Sequence, residues 1–409
     1  MSVSAAPLTP QRPAAWCPEH LLDPYTAVDP HPFYAWLRAT GPVQWNEPAQ
    51  AWYVTSYDLV ARLLLDARLG ARSKQAQLAR LDPVADAEVF AIEEFLAQWL
   101  VFSDPPFQAR LRKLVAPRFT PRALGALDGV VAEAARRHAG ALGPGRHDLL
   151  AEVIRPFALD VVCRVLGIRD ADRDAVLGWS DALVHYLSRP GIETAAARAA
   201  ADAAALLTDY VAGRALADAD GPVAQALAGP HVRGELSGTE AAAVYAQILT
   251  GGIEPVAAAT AAGLSHLFGD REQRRAVHTG AVARARAVEE ILRFGSPFHY
   301  APRTALDDLT VAGRRIERGQ RVVLVLVAAN RDPAVFADPD RFDIHRPAPE
   351  RHLSFGRGGH YCLGSVLARR QIAAITKELD HVLPVDGPGP LVQQPSLGMT
   401  TVVELPCLI

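Results

Sequence analysis

The segment Phe355-Gly356-Arg357-Gly358-Gly359-His360-Tyr361-Cys362-Leu363-Gly364 decides how the rest of the chain is read. Three glycines precede a lone cysteine, and a helix-like apolar pattern follows, from Leu363 to Leu379. Glycine takes positive φ without strain and lets the backbone approach a flat ligand closely. The cysteine opens the expected helix, where free N–H groups and positive potential stabilise a thiolate. A metal-bound thiolate needs such donors, because they tune its charge and the metal potential. The bland alternative is a glycine-rich turn around a buried cysteine.

The other cysteines, Cys17, Cys163 and Cys407, form no CxxC pair with it or with each other. A disulfide framework and a thiol-clustered zinc or iron–sulfur site are therefore not expected. Half of the 409 residues are apolar, enough for a large core. The net charge of −3 gives no reason to expect nucleic acid or an anionic membrane as partner. The longest strongly apolar run, Val322 to Ala329, falls far short of the roughly 20 residues that span a bilayer. No basic segment followed by an apolar one opens the chain, so no signal peptide and a cytoplasmic location are expected.

No linker divides the chain, and one unit over 1–409 is expected, with a proline-rich irregular arm at 1–32. Trp52 to Thr55 reads as a strand and Tyr57 to Asp66 as a short helix, whereas 68–102 has weak periodicity and is expected to contain loops that could cover a site. Asp104 with Pro105-Pro106 starts a helix. Alanine-rich, leucine-spaced helices follow at 122–140, 151–166, 171–187 and 194–217. Ser237-Gly238-Thr239-Glu240 is a capping box opening a long helix that stops near Gly269. A further helix ends at Arg293-Phe294. Residues 309–322 then read as a hairpin leading into a buried strand, Val322 to Val327.

Taken with these elements, the cysteine loop resembles that of the soluble bacterial cytochromes P450, which are haem-thiolate monooxygenases. A chance match at all fixed positions of the loop comes to about one in a million chains of this size, which disfavours the bland turn. The resemblance runs from about residue 30 to the end of the chain. It implies a mainly α fold with a small β region, and haem b (iron protoporphyrin IX) between the long central helix and the cysteine loop. Cys362 is then the metal ligand, as ligation in that family requires. His360, Arg303 and Arg112 face haem propionates, and Phe355, Gly356 and Gly364 line the cofactor. Gln108 stands where the family has histidine; it donates a hydrogen bond but carries no charge. Glu290-Ile291-Leu292-Arg293 is the family's ExxR element. The spacing puts Glu290 and Arg293 on one helix face. By resemblance the pair is buried and braces the cysteine loop through Asn330-Arg331-Asp332-Pro333 and Arg341-Phe342.

The central helix departs from the family pattern. Its Gly251-Gly252-Ile253-Glu254-Pro255 keeps the acid but replaces the usual hydroxyl residue with Pro255. Proline removes an N–H and clashes with the preceding turn, so a bend is expected there beside Gly251-Gly252. Proton delivery must then come from ordered water, Glu254 or a polar group on the substrate. Glu254 is expected either to relay protons or to be a buried acid paired with an arginine. By resemblance the substrate pocket includes Tyr245, Ile248, Leu249, Phe298, His299, Tyr300, Leu397 and Met399. The expected reaction is oxygenation of a small organic molecule in a secondary-metabolite pathway. Oxidative coupling, dehydrogenation or peroxide-driven oxidation is the alternative, and a non-catalytic haem binder a minor one. No flavin, dinucleotide or iron–sulfur motif is present. Electrons therefore come from a ferredoxin and ferredoxin reductase, steered by a basic patch of Arg110, Lys113, Arg118, Arg357, Arg369 and Arg370.

Overall fold

The computed structural model describes residues 13, 15–17, 20–21, 24–188, 193–384, 387–394, 396 and 398–409. The centre of the molecule is the helix Gly238–Phe268. Its start is fixed by the capping box: the Ser237 side chain accepts from the Glu240 N–H, and Glu240 accepts from the Ser237 N–H. The helix is apolar on nearly every side, as a core helix must be. Its many alanines (Ala241–Ala243 and Ala257–Ala259 among them) are buried, and small side chains let neighbouring helices approach. The helices Arg155–Leu166, Thr194–Tyr210, Ala281–Phe294 and Ser365–Val382 all pack against it.

A small sheet stands beside this body. Its strands run in the order β1 (Val43–Asn46), β2 (Ala51–Val54), β8 (Arg321–Val325), β5 (Tyr300–Ala305), β3 (Leu69–Gly70). β2 and β8 are parallel, with Trp52 opposite Val322; the other pairs are antiparallel. β8 is buried from Val322 onward, because both faces are covered. Two-stranded ribbons join β4 (Arg146–Asp148) to β11 (Pro406–Leu408), β6 (Leu309–Val311) to β7 (Arg314–Ile316), and β9 (Val392–Gln394) to β10 (Thr401–Glu404). Among the described residues, no helix is long and apolar enough to cross a membrane.

Several expectations need correction. The stretch 68–102 contains loops, as expected, but also holds the unforeseen helices Ser73–Leu78 and Ala87–Leu96. The pattern was weak because a carboxylate sits among the inward residues: Val89, Ile92, Phe95 and Leu96 are buried, and so is Glu93. The helix expected from Asp104 starts at Phe107. Asp104 does not cap it but accepts the Ala71 N–H at 2.9 Å, tying the helix approach to the end of β3. The arm at 1–32 contains a helix at Pro24–Val28, and the next helix begins at His31. The central helix runs unbroken through Pro255, so the expected bend does not interrupt it.

Candidate functional site

The cysteine loop hangs between two helices. Gly356 and Gly358 take positive φ, +65° and +71°, folding the loop back so that the Cys362 N–H donates to the Phe355 carbonyl at 2.9 Å. Gly364 precedes the helix Ser365–Val382, and its N–H reaches the Cys362 sulfur. Burial pushes the Cys362 thiol up, while the Gly364 N–H, Arg112 and Arg369 pull it down. Cys362 is in no disulfide.

Two polar side chains hold this loop directly. Arg112 donates to the Tyr361 carbonyl at 2.6 Å. Gln108, buried, donates to the Gly359 carbonyl at 2.8 Å, so its amide holds the loop itself. Arg303 is carried by β5 and buried, donating to the Pro302 carbonyl at 2.8 Å. Desolvation pulls the pKa of both guanidinium groups down, opposed by Cys362 at Arg112 and by Asp104 at Arg303. Neither pairs with a carboxylate among the described residues. His360 Nε2 lies 3.5 Å from Asp104 Oδ1. Buried cations without counter-ions are costly unless an anion joins them. A thiol, two unneutralised guanidinium groups and an imidazole around a glycine-bent loop therefore fit a flat, dianionic, thiolate-ligated group such as haem.

Behind the loop stands a brace. Glu290 and Arg293 are fully buried and make a two-pronged pair at 2.7 and 2.8 Å. Arg293 also donates to the carbonyls of Asn330 (2.9 Å), Pro339 (2.8 Å) and Arg341 (3.1 Å). Asn330 in turn accepts the Leu353 N–H at 2.6 Å and donates to Ser354 Oγ at 2.8 Å, next to Phe355. Sequence reasoning missed Arg346, whose Nε reaches Glu290 Oε1 at 3.4 Å. It also missed Glu289, which binds Arg369 at 2.6 and 3.0 Å and lies 3.3 Å from His352. Burial raises the Glu289 pKa, but His352 and Arg369 outweigh it and hold the carboxyl down at about 2. The Arg369 guanidinium lies 4.7 Å from the Phe355 ring centroid, so this pair presses on the loop. No local signal marked these residues, since their partners are far away in the chain.

The expected basic patch shrinks accordingly. Arg110 pairs with Glu240, Arg369 with Glu289 and Arg370 with Asp128. Arg357 donates to the Tyr57 hydroxyl at 3.1 Å. Lys113 and Arg118 remain exposed.

On the central helix the two glycines differ. A Cβ on Gly251 would meet nothing within 4 Å, whereas one on Gly252 would lie 2.7 Å from a Val162 methyl. Gly251 thus faces open space and Gly252 faces the neighbouring helix. Glu254 is paired: Arg155 Nε donates to it at 2.5 Å, and the same guanidinium donates to Asp181 at 2.6 Å. Glu254 is thus paired with an arginine while its side chain stays 25% exposed. Pro255 is buried.

The expected pocket residues scatter. Tyr245 is fully buried and its hydroxyl donates to the Leu166 carbonyl at 2.8 Å, so it belongs to the core and not to a pocket. Leu249 is likewise fully buried in the helical core, with Ile248 packed beside it. Tyr300 packs into the sheet cluster with Phe33 and Tyr53 instead of orienting a ligand. Phe298 is 43% exposed and forms a β-bridge with Met399. His299 is buried with Nε2 3.2 Å from Thr400 Oγ1. Leu397 lies outside the described residues.

Comparison with known proteins agrees with this geometry. The family model described as Cytochrome P450 matches residues 285–379, from the Glu290–Arg293 helix through the cysteine helix. A biflaviolin synthase of Streptomyces coelicolor is 36% identical over 82% of this chain and 80% of its own length. The cytochrome P450 monooxygenase PikC of Streptomyces venezuelae is 31% identical over 90% of this chain and 88% of its own. The crystal structure of CalO2 superposes with a TM-score of 0.85 at 31% identity, covering 97% of this chain and 98% of that one.

Proposed function

This chain belongs to the cytochrome P450 family of haem-thiolate monooxygenases, and from that membership we propose that it oxygenates a small organic molecule of a biosynthetic pathway, drawing electrons from an external ferredoxin and its reductase. The chain is an oxidoreductase, and haem (iron protoporphyrin IX) is its cofactor. The observation that carries the proposal is the glycine-bent loop of His360 and Cys362, to which Arg112 donates, with Arg303 acting on the same Asp104 that His360 faces. Haem bound there supplies the activation of dioxygen that no side chain can supply alone. Cys362 would hold the iron, and Arg112, Arg303 and His360 would neutralise the propionates. We place the protein in the cytoplasm, where such electron donors work.

Proton supply falls to this chain's own residues. Pro255 offers neither a hydroxyl nor an N–H. Glu254, Arg155 and Asp181 form a chain of hydrogen bonds whose side chains grow more exposed along it, 25%, 34% and 46%. Arg155 keeps its proton and holds the Glu254 carboxylate in place; we assign to Glu254 the transfer of protons from surface water toward the open side of Gly251, with an ordered water or a substrate hydroxyl completing the path. A second reading, oxidative coupling or dehydrogenation, is favoured by Pro255 itself and by the synthase name of the Streptomyces coelicolor relative.

The test is turnover of a substrate library with ferredoxin, reductase, NAD(P)H and oxygen, against peroxide alone. A product heavier by one oxygen atom supports oxygenation; a product lacking hydrogen or joined to a second molecule supports the other reading. Cys362→Ala should lose the thiolate-type carbon monoxide spectrum. An unchanged spectrum would overturn the ligand assignment.

A further inference from the structure

We propose that the cavity between the helix Pro24–Val28, the end of the central helix and the β9–β10 hairpin is a second small-molecule site, for a compact ligand carrying a carboxylate or similar oxyanion on an apolar body. None of its lining residues belongs to the cysteine loop; His299 and Met399, expected in the substrate pocket, line it from just before β5 and from the β9–β10 turn, so the test must block the iron-facing cavity first.

The cavity measures about 290 Å³. Ligand sites run from about 300 to 1,000 Å³, so the occupant is of single-ring size. Pro30, Ala262, Phe294, Val327 and Met399 supply apolar wall. The polar side is lopsided. Arg331 is only 9% exposed, and it lies with its guanidinium carbon 3.7 Å from the Phe294 ring centroid. It donates to Asp340 at 3.0 Å and to the Phe294 carbonyl at 3.3 Å, yet its Nε is buried with no partner. Asp340 is 73% exposed. Water screens that counter-ion, and the cavity-lining Asp29 also acts on Arg331, so part of the Arg331 field remains on the cavity side.

Three imidazoles share the cavity wall with it, and of these His299 is engaged with Thr400 Oγ1 at 3.2 Å. The ring nitrogens of His31 and His266 make no hydrogen bond among the described residues. The His266 ring is fixed edge-on to Phe294 at 4.7 Å and stacked on Phe342 at 5.8 Å. The lone carboxylate among the described lining residues, Asp29, is engaged with the His31 backbone N–H at 3.2 Å. Arg331 thus gives this space a positive potential, and His31 and the solvent-exposed His266 add ring N–H donors to its wall. An acceptor of negative charge answers all three. Desolvation, then Arg331, pushes both imidazoles below their usual pKa, with His299, Arg293 and Arg38 also acting on His31. A bound anion opposes these effects, and binding therefore strengthens as pH falls.

The experiment titrates the holoenzyme with benzoate by calorimetry, the iron-facing cavity being blocked beforehand with an azole. Benzyl alcohol serves as the uncharged counterpart. Benzoate should bind saturably, at least about tenfold tighter than benzyl alcohol, and more tightly at lower pH. His266→Leu, which removes a donor, and Thr401→Trp, which fills the cavity from β10, should each weaken benzoate about tenfold. The azole-induced Soret shift of each variant reports that the fold is intact. Absence of saturable benzoate binding, equal affinity for benzyl alcohol, or affinity untouched by both variants would each overturn the proposal.

Discussion

At the scale of single residues, the two adjacent glycines of the central helix make opposite predictions. Gly252→Ala must push Val162 aside, so it should cost about 1–3 kcal/mol in thermal or denaturant unfolding. Gly251→Ala meets open space and should hold or slightly raise stability, since alanine favours helix. Its cost should appear instead as weaker substrate-induced Soret shifts. Pro255→Thr restores a hydroxyl and should change the fraction of electrons lost as peroxide; an unchanged ratio would remove this position from proton delivery. The family resemblance marked Cys362, Arg303 and Arg112 because each sits in a short motif that can be matched on its own. It could not mark Arg155 or Glu289, whose partners Glu254 and Arg369 lie far along the chain. Nor could it turn Tyr245 away from the pocket, because helical periodicity does not say which neighbour a buried face meets.

Elements were legible in proportion to how local their determinants are. The capping box fixed the start of the central helix at the expected residue, and Ser237→Ala should cost about 1 kcal/mol there. The helix Ala87–Leu96 escaped notice because Glu93 is buried on its inner face, held by Lys74 at 2.8 Å and the Tyr186 hydroxyl at 2.6 Å. Only tertiary partners make a carboxylate acceptable in that position. Tyr245→Phe tests an element contact as well: it leaves the Leu166 carbonyl unpaired and should cost about 1–3 kcal/mol while leaving ligand spectra unchanged.

Across the whole molecule, the fold rests on a few buried charges. Arg293→Ala leaves the buried Glu290 with only Arg346 at 3.4 Å and the Asp343 N–H, and should cost about 3–5 kcal/mol, with haem lost on gel filtration. Acid should act in two stages. His31 and His352 are held below 6.5, chiefly by burial, so the unfolded chain binds protons that the native one refuses. Stability should begin to fall as pH drops through that value. Glu289, held down at about 2 against 4.5 unfolded, adds a second loss between those values. Unfolding midpoints measured across that range check both stages.

The sheet carries one more consequence. β2 lies parallel to β8, so Trp52 waits for Val322 before its edge is covered. On the ribosome, the β1–β2 hairpin emerges long before its partner is translated. Until then the nascent chain shows an apolar strand edge, the kind of surface that invites pairing with a stranger. Yield in a recombinant host should therefore respond to slower translation and to chaperone supply as much as to any change in the finished enzyme.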